Sequence, residues 1–339
     1  NKLADGREEE IRPCVGATHC MSPQRPVCLH NPATGREIKM PQTVQPSDGP
    51  RRKAVVVGGG PAGLEAARVL GERGHHVVLF EAAPKLGGQI LMGVQASWRT
   101  DLAGIVDWRA NEAERLGVDV RMSQYAELED VLAENPDIVI VATGGIPDLD
   151  WLEGVEHCTS AWDFLTGNAT VGEEVLVYDG TGRHPALQCS EHAASSGAKT
   201  ALVSIDGEMA AELTYAERAI WKQKIYEGGV NMTFDHRLIR IAKDGNRLTA
   251  TFTNEATGQV VERTVDQVVV EHGTIPADDL YHSLRGHSGN NGVTDLDTLL
   301  SDARQPKGDG FELHRIGDAV ASRNIAAAVY DALRLCHVM

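Results

Sequence analysis

Aromatic residues are scarce in this chain of 339 residues, at 5%, and there are six cysteines. Six thiols over such a length are too few for the disulfide framework of a secreted domain, which points to a reducing, cytoplasmic setting. No apolar run approaches the roughly 18 residues that a membrane-crossing helix needs. No basic-then-apolar leader opens the chain. Positive charge is in short supply: 32 Lys and Arg stand against 48 Asp and Glu, a net charge of −16. Such a surface repels nucleic acid and anionic membrane, so neither is expected as a partner. An initiator methionine is missing too. The chain opens on Asn1-Lys2-Leu3 and reads as part of a longer polypeptide.

What is there is ordinary globular material, 42% apolar and 24% charged, with a length that suits two domains. Residues 1–50 lack periodicity. They carry Cys14, Cys20 and Cys28 and end in a Pro/Gln/Ser/Asp/Gly linker at 41–50. Arg51-Arg52-Lys53 reads as a solvated strand edge. From 54 to 57 runs Ala-Val-Val-Val, the pattern of a parallel strand buried on both faces. The glycine turn 58–63 follows, then helical spacing over 64–73, Gly74 as a stop, and a second apolar strand at 76–80 closed by Glu81.

This is a βαβ unit with G-x-G-x-x-G at Gly58, Gly60 and Gly63. Gly58 permits the tight turn, Gly60 lets backbone approach a pyrophosphate, and Gly63 lets helix and strand pack closely. Pro61 and Ala62 lie within this turn as further cofactor contacts, ahead of a helix whose free N–H groups and positive dipole end suit phosphate. Glu81, with Ala82 beside it, is placed to accept from ribose hydroxyls. Gly88 and Gln89 form a second glycine turn, Thr143 and Gly144 end another buried strand at 138–141, and Gly317-Asp318 precedes a helix at 324–335. Each can bring backbone or a carboxylate to the same dinucleotide, and Arg99 is a further candidate for a phosphate or flavin contact. In this order the motifs resemble a flavoprotein fold with two dinucleotide-binding, Rossmann-like domains.

A second βαβ unit follows: a strand at 173–178, Asp179-Gly180-Thr181-Gly182, a helix to 196, and a strand at 199–205. Its glycine code is broken, because Pro185 stands in the third slot. Proline is tolerated in a helix's first turn, so the fold survives, but productive NAD(P)H binding is not expected. Residues 230–271 read as short strands, and 272–276 as the return crossing into the first domain. The expected division is 1–50 as segment and linker, 51–165 with 280–339 as the first nucleotide domain, and 166–279 as a second domain inserted in it. The class is α/β. Cys158, Cys189 and Cys336 read as buried or incidental thiols.

The front end, Pro13-Cys14-Val15-Gly16-Ala17-Thr18-His19-Cys20 and then Cys28-Leu29-His30-Asn31-Pro32-Ala33-Thr34-Gly35-Arg36-Glu37, resembles the iron–sulfur segment of the trimethylamine dehydrogenase and 2,4-dienoyl-CoA reductase family. The resemblance covers the whole chain as that family's C-terminal half. It implies an old yellow enzyme-like, FMN-bearing (β/α)8 barrel absent from this sequence, and FAD, or ADP in the same site, in the first nucleotide domain. It also implies a cluster on Cys14, Cys20 and Cys28, with Ala17 in the slot of one ligand. The cluster would be 4Fe-4S, or 3Fe-4S if no fourth ligand is found. His19 or His30 could supply a nitrogen. Zinc, a disulfide and free thiols are the other outcomes.

The C-V-G-A form resembles the branch that demethylates N-methylated amino acids such as dimethylglycine or N-methylproline. The implied function is the electron-transfer half of an amine dehydrogenase that passes electrons to an electron-transfer flavoprotein, within a homo-oligomer. An NAD(P)H-fed enoate or dienoyl-CoA reductase and a non-catalytic ADP-binding scaffold are the rivals.

Overall fold

The apolar run ahead of the first glycine motif forms β1 (Lys53–Val57), the middle strand of a five-stranded parallel sheet in the computed structural model. Residues 2–21, 26–306 and 308–339 are described. Across this sheet the order is Glu312–Arg315, Ile138–Val141, β1, β2 (His76–Phe80) and Asp119–Arg121. Val55, Val57, Val78, Phe80, Val139 and Val141 meet Tyr281, Leu284 and Phe311 in one apolar cluster. The alternate residues Ala54, Val56 and Leu79 are equally buried. Both faces are therefore covered, as an all-parallel sheet requires. α1 (Pro61–Glu72) packs against both α2 (Ala103–Arg115) and the C-terminal helix Ile325–Cys336. α1 begins three residues before the expected start at 64, because Pro61 suits the first turn of a helix and Gly60 caps it in extended conformation.

The second unit repeats the plan. Its parallel sheet runs Thr159–Ser160, Gln267–Glu271, β3 (Glu174–Asp179), β4 (Lys199–Ser204) and Asn231–Thr233. The alternation along β3 sorts its two faces. Val175 and Val177 pack with Phe164, Leu187, Trp221 and Ile225, from helices that include α3 (His184–Ser195) and α4 (Tyr215–Glu227). Leu176 and Tyr178 pack instead with Leu238, Ile241, Ala250 and Phe252 of an antiparallel layer formed by His236–Asp244, Arg247–Asn254 and Val260–Val265.

By its contacts the chain divides into residues 1–91, 101–146 and 275–339, and residues 92–100 and 147–274. The expected break at 165/166 thus lies later than the observed one, and the return at 279/280 also lies later than the observed 274/275. Thr159–Ser160 is an edge strand of the second sheet and Ala161–Thr166 packs on α3, which draws 147–165 into the second unit. The solvated reading of 51–53 fails at Arg52. Its side chain is 8% exposed and its guanidinium pairs with Glu312 at 2.8 Å, because the strand beside β1's neighbour carries a buried acid. Cys189 and Cys336 are buried and Cys158 is half-buried. Among the described residues no helix is long and apolar enough to cross a membrane.

Candidate functional site

The first glycine turn is held in its shape by close backbone approaches. Gly58 has φ +105°, and a Cβ there would stand 2.3 Å from the Ala142 carbonyl oxygen. A Cβ on Gly63 would stand 1.8 Å from the Gly58 carbonyl oxygen. Neither position admits a side chain, so strand, turn and α1 are locked together only with glycine in both. Gly60 differs: a Cβ there would meet nothing within 4 Å. Its face is open, at the N-terminus of a 12-residue helix whose first donors are not capped by any side chain.

The other candidate segments of this unit gather round that face. Gly87 N–H donates to the Gly59 carbonyl at 2.9 Å. Gly88 lies so close that a Cβ on it would be 3.3 Å from the Gly60 Cα. A Cβ on Gly317 would be 3.0 Å from the Ala62 Cβ. Gln89 Nε2 donates to Asp318 Oδ2 at 3.2 Å, and Asp318 Oδ1 accepts from Arg323 N–H. Gly144 is open like Gly60, whereas the Thr143 hydroxyl is spent on the Ala277 carbonyl at 2.5 Å. Ala82 and Gly88 are exposed and Pro61 and Glu81 half-buried at the rim, while Ala62 is buried beneath.

The Glu81 carboxylate accepts from Gly59 N–H at 2.7 Å through Oε2 and from Ala83 N–H at 2.6 Å through Oε1. It braces the turn as well as facing it. Each oxygen keeps a second lone pair, enough for a ribose hydroxyl. A glycine cradle with no room for Cβ at its base, an open glycine at its mouth, a helix N-terminus and a carboxylate at the end of β2 together fit an adenosine diphosphate moiety.

Arg99, the remaining candidate, has its own surroundings. It belongs to the second unit, where it is 7% exposed and its guanidinium carbon lies 5.7 Å from the Trp98 ring centroid. Burial pushes its pKa down to about 10 against the pull of Glu217. Nearby, Trp221 Nε1–H donates to His184 Nδ1 at 2.9 Å, and His184 Nε2 is 3.3 Å from Glu217. Pro185 takes the first turn of α3, so the helix forms without the third glycine.

The expected cluster ligands are not assembled. All six thiols are free, and Cys14 and Cys20 are exposed while Cys28 is half-buried. Among the described residues no three His, Cys, Asp or Glu side chains come together as a metal would need. Part of the 21–27 loop lies outside the described residues. Gly16 does take the turn conformation anticipated for it, with φ +63°. His30 is buried with Nδ1 on the Pro13 carbonyl, and its ring meets Trp108 edge to face at 5.6 Å. Thiolates are the ligand type that a cluster needs, and Cys14, Cys20 and Cys28 remain the candidate donors of this segment.

The periodicity of the sequence hid a buried ionic network in the first unit. Glu65 and Arg109 are wholly buried and 2.8 Å apart, and Arg68 binds Glu65 at 2.7 Å. Burial works to raise the Glu65 pKa, but Arg68, Arg109 and Arg12 outweigh it and hold it well below the usual range. Arg109 also donates to the His30 carbonyl, Trp108 to the Glu10 carbonyl, and Arg12 lies 4.0 Å over the Trp108 ring. The network fastens the cysteine segment to α1 and α2. Breaking such a buried pair typically costs about 3–5 kcal/mol.

The pyridine nucleotide-disulphide oxidoreductase family matches residues 52–301. A probable N-methylproline demethylase of Rhizobium meliloti (strain 1021) is 44% identical over 98% of this chain and 50% of the relative. The N,N-dimethylglycine/sarcosine dehydrogenase of Chromohalobacter salexigens is 40% identical over 99% of this chain and 51% of the relative. These relatives match the expected resemblance to N-methyl amino acid demethylases, and the chain spans about half their length. Among solved structures, the 6-hydroxypseudooxynicotine amine oxidase of Pseudomonas geniculata N1 superposes with a TM-score of 0.86 at 25% identity, over 100% of this chain and 50% of that one. With a glycine cradle of this geometry and a family match over most of its length, the chain belongs to the pyridine nucleotide-disulphide oxidoreductase family.

Proposed function

We propose that this chain is the nucleotide-binding half of a flavin-dependent oxidoreductase that demethylates N-methylated amines or amino acids. The reading rests on one structural observation above the rest: separate chain segments converge on the open face of Gly60. The demethylase and dehydrogenase relatives support the substrate class. The first unit holds FAD, or ADP in the same place, through 58–63, Glu81, 87–89, Gly144 and 317–318. Flavin, when bound, would supply a hydride acceptor for a carbon next to nitrogen, and the iminium left on the substrate would be hydrolysed by water to an aldehyde and the demethylated amine. A barrel half of the same protein would hold the FMN that serves this chemistry. Electrons leave to an external carrier, an electron-transfer flavoprotein, and the enzyme works in the cytoplasm as a homo-oligomer.

The test is anaerobic. Full-length protein is purified, its bound nucleotide is released and identified, and dimethylglycine, sarcosine and N-methylproline are added in turn. Bleaching of the flavin band by one of these amines, with formaldehyde released, is the expected result. Bleaching by NADH or NADPH alone, with no response to any amine, supports the reductase reading instead. ADP with no flavin anywhere in the protein supports the scaffold. Glu81→Ala should weaken retention of the nucleotide by about 1–3 kcal/mol, since hydrogen bonds to a charged group are lost. Undiminished nucleotide content after dialysis would remove Glu81 from the site.

A further inference from the structure

The residue before the first glycine turn is Val57, and the residue before the second is Asp179. That one change alters what the second turn offers a ligand. Asp179 is fully buried, and its Oδ1 accepts from Thr181 N–H at 3.1 Å and from Gly182 N–H at 2.8 Å. These are donors of the kind that a dinucleotide's diphosphate seeks in such a turn. Asp179 Oδ2 is buried with no hydrogen-bond partner among the described residues.

More carboxylates surround the turn. A Cβ on Gly182 would stand 2.5 Å from Asp206 Oδ2. Glu271 is the register partner of Asp179 on the adjacent strand. Gly180 is covered by the His272 ring, whose Cδ2 lies 2.6 Å from where a Cβ would be. Arg183 is the cation that acts on Glu271, and its effect there is smaller than that of burial. Burial pushes the Asp179 carboxyl up to about 6 even with two N–H donors on it, and Glu271 up to about 7.

We propose that Asp179 is the residue that bars nicotinamide dinucleotides from the second unit, a built-in anion in the place of their diphosphate. A phosphate entering here would find the N–H groups taken and like charge beneath them. Pro185 alone would not do this, because proline removes only its own N–H and leaves those of Thr181 and Gly182 in place. The inference rests on the proposed function and deepens it, by naming why electrons do not enter from a nicotinamide.

Calorimetry on the full-length, flavin-loaded protein tests it, with NADH and NADPH as titrants. Wild type should show no binding up to roughly 1 mM. Asp179→Val, which restores the residue type of Val57 and frees both N–H groups, should bind NADH or NADPH about tenfold tighter or more, as expected for hydrogen bonds to a charged group. Asp179→Asn removes charge but keeps the acceptor, and should gain less. Wild-type binding that is lost in Gly182→Val overturns the proposal. A folded Asp179→Val with no gain overturns it too. If the valine variant does not fold, the near-isosteric asparagine variant decides: no gain over wild type sinks the idea. Flavin bleaching by amine is followed in the same samples. Amine bleaching without a gain in nicotinamide binding removes the role of Asp179 and leaves the proposed function standing. Bleaching of wild type by NADH but by no amine removes the proposed function itself.

Discussion

Gly60 and Gly182 fill the same slot in two glycine turns of one chain, and their surroundings differ. Around Gly60 there is open space, an uncapped helix N-terminus, and a carboxylate at the end of the next strand that takes the Gly59 N–H from the side of the turn. Around Gly182 the N–H donors are consumed from below by Asp179, and Asp206 leans on the outer face. Both turns follow a strand and start a 12-residue helix with proline in its first turn. The backbone plan is thus the same in both turns, and the side chains that approach them, with their charge, are what differ.

The comparison breaks most visibly at the third slot. Gly63→Ala places a Cβ 1.8 Å from a backbone oxygen that cannot move without opening the turn. The expected loss of stability is about 3 kcal/mol or more. Pro185→Gly, at the matching place in the second turn, should cost about 1 kcal/mol, mostly through a looser unfolded chain. Urea unfolding of both variants checks the pair. Equal losses would show that the third slot does the same job in both units.

Asp179 gives the next largest effect, and it depends on pH. Its folded pKa, about 6, lies above the roughly 3.9 of an unfolded aspartate. Between those values the folded chain binds more protons than the unfolded one. Stability therefore falls as pH rises from about 4 to about 6 and is flat above. The contribution is on the order of 2–3 kcal/mol, and Glu271 extends the fall to about pH 7 by the same sign. Asp179→Asn should remove its share, so the variant gains on wild type as pH rises from about 4 to about 6 in denaturant titrations, and the gain levels off above. A constant difference across that range would mean that Asp179 is not held in its buried, uncompensated state.

Much of this was legible in the sequence where geometry forbids alternatives. Gly58 and Gly63 must be glycine because backbone oxygens sit where their Cβ atoms would be, and the strands around them are apolar on both faces. What escaped was the destination of polar side chains. Glu65 sits in a helix as an ordinary acidic residue, and only the fold brings Arg109 and Arg68 to it. Arg52 looked solvated because its partner, Glu312, is 260 residues away. Glu81 reads in the sequence as a candidate ribose acceptor, and its bonds to Gly59 and Ala83 were not legible there. Asp179 reads as a turn residue. Its inward orientation follows from its place as the last residue of β3. The domain breaks shifted because the pairing of Thr159–Ser160 with the second sheet and the packing of Ala161–Thr166 are long-range contacts, and the cysteine segment yields spacing but no ligand geometry.

The smallest effect on stability should come from Gly60→Ala, and it separates fold from ligand most cleanly. Gly60 has φ −73°, which alanine adopts freely, and its Cβ would meet nothing within 4 Å. Lower entropy in the unfolded chain stabilises the variant, whereas alanine is the poorer residue at a helix cap. The two contributions are similar in size, so the net change should stay within about 1 kcal/mol. The new methyl group would stand in the open mouth of the cradle, where the diphosphate is proposed to run, and nucleotide per purified chain should drop. Gly182→Ala should do the reverse. It forces alanine to φ +62° with Asp206 2.5 Å away, which costs about 1–2 kcal/mol, and it should leave nucleotide content untouched. Thermal unfolding and nucleotide release measured on the same two preparations check both halves. If Gly60→Ala keeps its full nucleotide, the open face at residue 60 is not where the ligand lies, and the contrast between the two turns loses its functional meaning.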